Sequence, residues 1–149
     1  MQRRTEIIIA IALLALIGYG LGLSVLASIQ SSKTVSNAGT LKGVGVGIYE
    51  DSGCTTPLSS IDWGLLDPGS SANVSCYIRN EGNSALTLSM QTSNWSPADA
   101  STYLSLSWNY SGESLAPEAI IHVVFTLSVS PGVEGITDFS FDITVVGSD

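Results

Sequence analysis

Between residues 118 and 130 the chain alternates: Ile121, Val123, Phe125, Leu127 and Val129 place apolar side chains on every second position. A period of two over this length fits an extended strand with one buried face and does not fit a helix. The same period returns elsewhere. Val74, Cys76 and Ile78 alternate with polar residues, as do Leu86, Leu88 and Met90, then Leu104, Leu106 and Trp108, and finally Phe139, Phe141, Ile143 and Val145. Val44, Val46 and Ile48 alternate with Gly43, Gly45 and Gly47, which reads as one strand with a bare second face. The turn residues Glu81-Gly82-Asn83 predict a hairpin joining residues 72–80 to residues 85–93. With a short strand near residues 61–66, about seven strands are expected and no helical period, an all-β antiparallel sandwich.

The other constraint lies at the amino end. No charged residue occurs over residues 7–29, which as a helix would span about 34 Å and so cross a bilayer. Arg3 and Arg4 precede the run and Lys33 follows it, so the positive-inside tendency puts residues 1–6 in the cytoplasm and the rest outside. The expected plan is a transmembrane signal anchor over residues 7–29, a small polar linker over residues 30–41, and an ectodomain over residues 42–149. A cleaved secretory signal is the competing reading, with Val25 and Ala27 permitting a cut before Ser28. The expected localisation is the cell membrane, single-pass, with the carboxy-terminal domain extracellular.

Beyond the membrane flank the chain keeps only Lys42 and Arg79 as bases, against every acid but Glu6, and the whole chain carries a formal net charge of -8. Such a surface repels phosphate backbones, which argues against nucleic-acid partners. The expected partners are the lipid bilayer through residues 7–29 and, outside the cell, other surface proteins or copies of the chain itself. Export also permits a Cys54–Cys76 disulfide. It would close a loop of about 22 residues and add on the order of 3 kcal/mol; two free buried thiols are the other reading. Asn73, Asn94 and Asn109 each open an Asn-x-Ser triplet and are candidate glycosylation sites.

The order of residues around Trp63 carries a resemblance. IDWGLLDPG (residues 61–69), a strand to Ile78, the turn Arg79-Asn80-Glu81-Gly82-Asn83, and Leu86-Thr87-Leu88 together resemble a pattern of immunoglobulin-like surface domains. It is similar to exported domains of archaeal and bacterial cell surfaces. The resemblance implies an immunoglobulin-like sandwich. The whole plan, one apolar helix and one sandwich, also resembles archaeal type IV pilins and archaellins and the anchored stator proteins of the archaellum. A pilin-type leader would be residues 1–4, here followed by Thr5 and Glu6 without the small residue usual before that cut.

Catalytic chemistry is sparse. His122 is the only histidine and has the outward parity of its strand, so a Ser-His-Asp or Cys-His arrangement has one residue to build on. GVGVGI lacks the Lys-Ser/Thr ending of a phosphate loop. Glu50, Asp51, Asp62 and Asp67 could gather at one end of the sandwich and offer oxygen ligands to calcium, though scattered acids are ordinarily a solvated surface. Trp108 has core parity, whereas Trp63 and Trp95 fall in turns, where a ring either caps the core or stacks on a sugar. No catalytic residue and no cofactor is expected. The expected function is a membrane-anchored structural or interaction protein. Its alternatives are a subunit of a pilus-like or strand-exchanged filament and, weaker, a carbohydrate-binding module.

Overall fold

The computed structural model describes residues 37–149, and the segment expected to span the membrane lies outside them. Eight strands form two sheets of four. The first contains β1 (Asn37–Val44), β3 (Ser60–Asp62), β5 (Thr87–Ser96) and β8 (Phe139–Ser148), in the order β3-β1-β8-β5. The second contains β2 (Val46–Tyr49), β4 (Ser71–Asn80), β6 (Leu104–Trp108) and β7 (Ile120–Val129), in the order β2-β4-β7-β6. Their apolar faces close on one core, in which Phe141, Ile143 and Val145 of β8 meet Val123, Phe125 and Leu127 of β7, all essentially without exposure. The expected sandwich of alternating strands is therefore what the chain forms.

Three expectations need correction. The first concerns residues 43–48, which are two strands rather than one. Gly45 sits at φ +74°, a conformation that L side chains avoid, and there the chain leaves β1 for β2 and the other sheet. β1 also starts earlier than expected and takes residues 37–41 from the linker. Its inward positions there include Asn37 and Gly39, so an apolar alternation is missing. A Cβ on Gly39 would lie 3.3 Å from Trp63 Nε1, because the indole occupies the space that a side chain would fill.

Second, the sheets are not wholly antiparallel. β1 runs parallel to β8 from Asn37↔Phe139 to Val44↔Val146. Nearly the whole domain separates these two strands in sequence, so no local turn fixes their direction, as it would in a hairpin.

Third, β4 and β5 form no hairpin: they lie in different sheets. Asn80, fully buried, holds the crossing between them. Its Nδ2 donates to Ser84 O at 2.8 Å and to Leu115 O at 2.9 Å, while its Oδ1 accepts from Gly82 N at 2.9 Å. The turn signals at Glu81-Gly82-Asn83 are real, but they build an arch around a buried amide. A single helical turn, Ala100–Tyr103, precedes β6, and among residues 37–149 no helix is long and apolar enough to cross a membrane.

Candidate functional site

The densest group of polar and aromatic side chains lies on the outward face of the second sheet, where β2 and β4 pair. Tyr49 and Arg79 both have outward parity, and Gly47 pairs with Arg79. Gly47 lets the group close up, because a Cβ there would lie 2.5 Å from both Glu81 Oε1 and Tyr49 Cε2. The Tyr49 hydroxyl donates to Glu81, and Arg79 Nη2 donates to Glu81 Oε1 at 2.8 Å and to the Tyr49 hydroxyl at 3.3 Å. The guanidinium carbon stands 5.3 Å from the centre of the Tyr49 ring. Beside this group the rings of Tyr77 and His122 lie 5.0 Å apart at 46°.

The hydrogen bonds of the cluster converge on Glu81. Tyr49 and then Arg79 donate to Glu81 and hold its carboxyl below the usual range, and the same hydrogen bond to Glu81 holds the Tyr49 phenol above its usual value. Of the guanidinium, Nη2 makes both bonds and Nε is buried without a partner, and a phenol held neutral is not a nucleophile at neutral pH. The cluster is suited to recognition or stability rather than to bond making. From the sequence, Tyr77 and Arg79 show only as the wet side of a strand. The available signal is Gly47 two residues before Tyr49, since a bare position beside an aromatic leaves room for the ring.

The two cysteines are both buried and both free, so the structure does not contain the expected disulfide. Cys76 points inward from β4 among Ile78 and Val123, whereas Cys54 lies in the loop after β2 outside that core. The charges that act on Cys54 are those of Arg79, Asp51 and Glu81, on the opposite side of the sheet from Cys76. Burial pushes the Cys76 thiol up to about 12 and raises that of Cys54 as well, so neither is an activated nucleophile.

The acids proposed for calcium are spent locally or stand apart. Asp51 accepts from the backbone N–H groups of Gly53, Thr55 and Thr56, at 2.7 Å for the last, and these bonds hold its carboxyl below the usual range. Asp62 accepts from Gly64 N at 2.9 Å. Among the described residues no group of three or more His, Cys, Asp or Glu lies together in a way that could hold a metal ion, and Glu50 and Asp67 join no such group.

Trp63 is 4% exposed and stacks on Phe141, and Trp95 stacks on the same ring, so both turn tryptophans pack on the core. A cavity of about 100 Å³ lies at the end of the sandwich, lined by Leu65, Leu66, Val133, Ile136 and Phe139 among others. That is room for a few waters and well below the size of an ordinary ligand pocket.

Of the three sequon asparagines, all exposed, Asn73 and Asn109 share the outward face of the second sheet. Asn109 Oδ1 accepts from Val124 N at 2.7 Å, which leaves its amide nitrogen outward. Asn94 sits at φ +53° on β5, and its Nδ2 donates to Asp142 at 2.7 Å. No protein-family model matches the chain, and no curated protein is similar to it.

Proposed function

We propose that this chain is a single-pass membrane protein that presents one immunoglobulin-like domain outside the cell as a structural or interaction module. The observation that carries the proposal is the uncharged apolar stretch over residues 7–29, joined through a short polar segment to a self-contained sandwich. A run of this length is stable in a bilayer and costly to leave in water. The split first strand, with β1 parallel to the last strand and β2 in the opposite sheet, supports the immunoglobulin-like reading. An acidic outer surface with neutral serine and threonine rows suits a domain that stays soluble at a crowded surface and contacts partners at selected places.

Asn73 and Asn109 are the glycan sites in this proposal, because both amides stand on one open face. Asn94 is not, because its amide nitrogen is held by Asp142. Cell fractionation with intact-mass measurement tests the proposal. Recovery of the uncut chain from the detergent-soluble membrane fraction, with added mass removed by Asn73→Gln and Asn109→Gln, is the expected result. A chain beginning at Ser28 in the medium, or at Thr5 or Glu6 in shed fibres, overturns it.

A further inference from the structure

We infer that β5 is a docking edge on which a second copy of the chain adds its own β5, antiparallel and centred on Gln91, so that the first sheet continues through two molecules. This names the partner of the interaction module proposed above, and it rests on the sandwich rather than on the membrane anchor.

Each sheet has two edge strands. Three of the four are short: β3 has 3 residues, β2 has 4 and β6 has 5, whereas β5 has 10. Leu88 N donates to the Tyr110 hydroxyl at 3.0 Å, so it points away from β8 toward the open side. In an antiparallel pair alternate residues turn both backbone groups the same way, so Met90 and Thr92 present their N–H and C=O groups there too. The beginning of the strand is covered. Leu86 exchanges backbone hydrogen bonds with Leu115, and Tyr110 caps Leu88. A bulge between Ser93 and Ser96 ends the regular ladder. The open stretch is residues 89–93.

Natural edges are ordinarily blunted by a lysine, a proline, a bulge or brevity. β5 from Thr87 to Ser96 contains no charged residue, no proline and no glycine, and its bulge comes only after the open stretch. Charge selects the occupant. The domain is acidic almost everywhere, so two copies repel over most of their surfaces. On β5 the outward side chains Ser89, Gln91 and Ser93 are neutral, and Asp142 on β8, opposite Ser93, is bound by Asn94. A basic partner finds no acid on this strand, while an identical strand finds a neutral one that matches it group for group.

Centred on Gln91, the pairing exchanges backbone bonds between Met90 of one copy and Thr92 of the other. The two Gln91 residues then form a non-hydrogen-bonded pair with Cα atoms about 4.5 Å apart, within disulfide range. The full chain in detergent micelles, carrying Gln91→Cys, is compared under mild oxidation with Ser105→Cys, which is exposed on the edge of the other sheet. Gln91→Cys is expected to form a covalent dimer about tenfold faster or more. In sedimentation the unmodified chain is expected to dimerise, and Ser89→Lys with Gln91→Lys to be monomeric with an unchanged melting temperature. A wild-type monomer at the highest concentration, a dimer that survives the lysines, or equal cross-linking of the two cysteine variants overturns the inference.

Discussion

Trp95 lies flat on Phe141, ring centres 4.1 Å apart and planes 8° from parallel. The bulge in β5 makes this contact: Ser93 pairs with Asp142 and Ser96 with Ser140, so Asn94 and Trp95 together oppose Phe141. Trp63 stacks on the same phenyl ring at 6.3 Å and 13°. Replacing the buried Trp63 by Ala should lower stability by about 3–5 kcal/mol, as for other large-to-small aromatic changes in cores. Denaturant unfolding monitored by circular dichroism measures this, and a loss under about 1 kcal/mol would mean that the ring does not pack as described.

Asn80 is the second structural centre. Replacing it by Leu leaves Ser84 O, Leu115 O and Gly82 N without their side-chain partner. A cost of about 3 kcal/mol follows from losing the three bonds, about 1 kcal/mol each, although Leu115 O keeps its bond from Leu86 N. Asn80→Asp should be worse than Asn80→Leu near neutral pH, because a carboxylate would face two carbonyl oxygens. The order of the two variants in thermal unfolding at pH 7 checks the assignment.

The carboxyls of Asp51 and Glu81 contribute to the acid side of the stability profile, as does that of Glu113, which hydrogen bonds of its own loop also hold low. The first two are held below the usual carboxylate range, Asp51 first by the Thr56 N–H and Glu81 first by the Tyr49 hydroxyl. A depressed folded-state value contributes stability that is complete above the unfolded pKa of about 4 and is lost as pH falls through the folded value. The melting temperature should therefore be flat from pH 7 to about 5 and fall below that. Asp51→Asn should lower it at neutral pH and flatten the acid slope, because an amide nitrogen cannot accept the loop N–H groups. An unchanged slope would contradict the assigned bonds.

The thiols give a chemical test of the corrected cysteine assignment. Burial that pushes Cys76 up to about 12 keeps it protonated and shielded at pH 8. Native protein should react negligibly with a thiol reagent, and denatured protein, with no reductant added, should take up two equivalents, one for each free cysteine. No uptake after denaturation would show that a bridge forms.

The alternation of apolar residues carried most of the fold, because one-sided burial writes itself into every second position of β4, β7 and β8. What it does not encode is where a strand changes sheets. At Gly45 the change depends on a single positive φ, and at Asn80 on three hydrogen bonds made by one side chain. β1 was hidden because Gly39 yields its inward space to Trp63, and β5 runs on to Ser96 because a bulge restores the inward parity of Trp95. The tyrosine–arginine–glutamate cluster was hidden for a related reason. Tyr49 and Arg79 are far apart in sequence and meet only through the β2–β4 register.

Topology is the claim on which the functional account stands. With Ser105→Cys as a surface tag on β6 and the two native thiols buried, intact cells can be treated with a membrane-impermeant maleimide and the labelled species weighed. The account predicts label on the uncut chain of residues 1–149, recovered with the membranes, without lysis. Label that appears only after lysis, or only on a shortened chain in the medium, would contradict it.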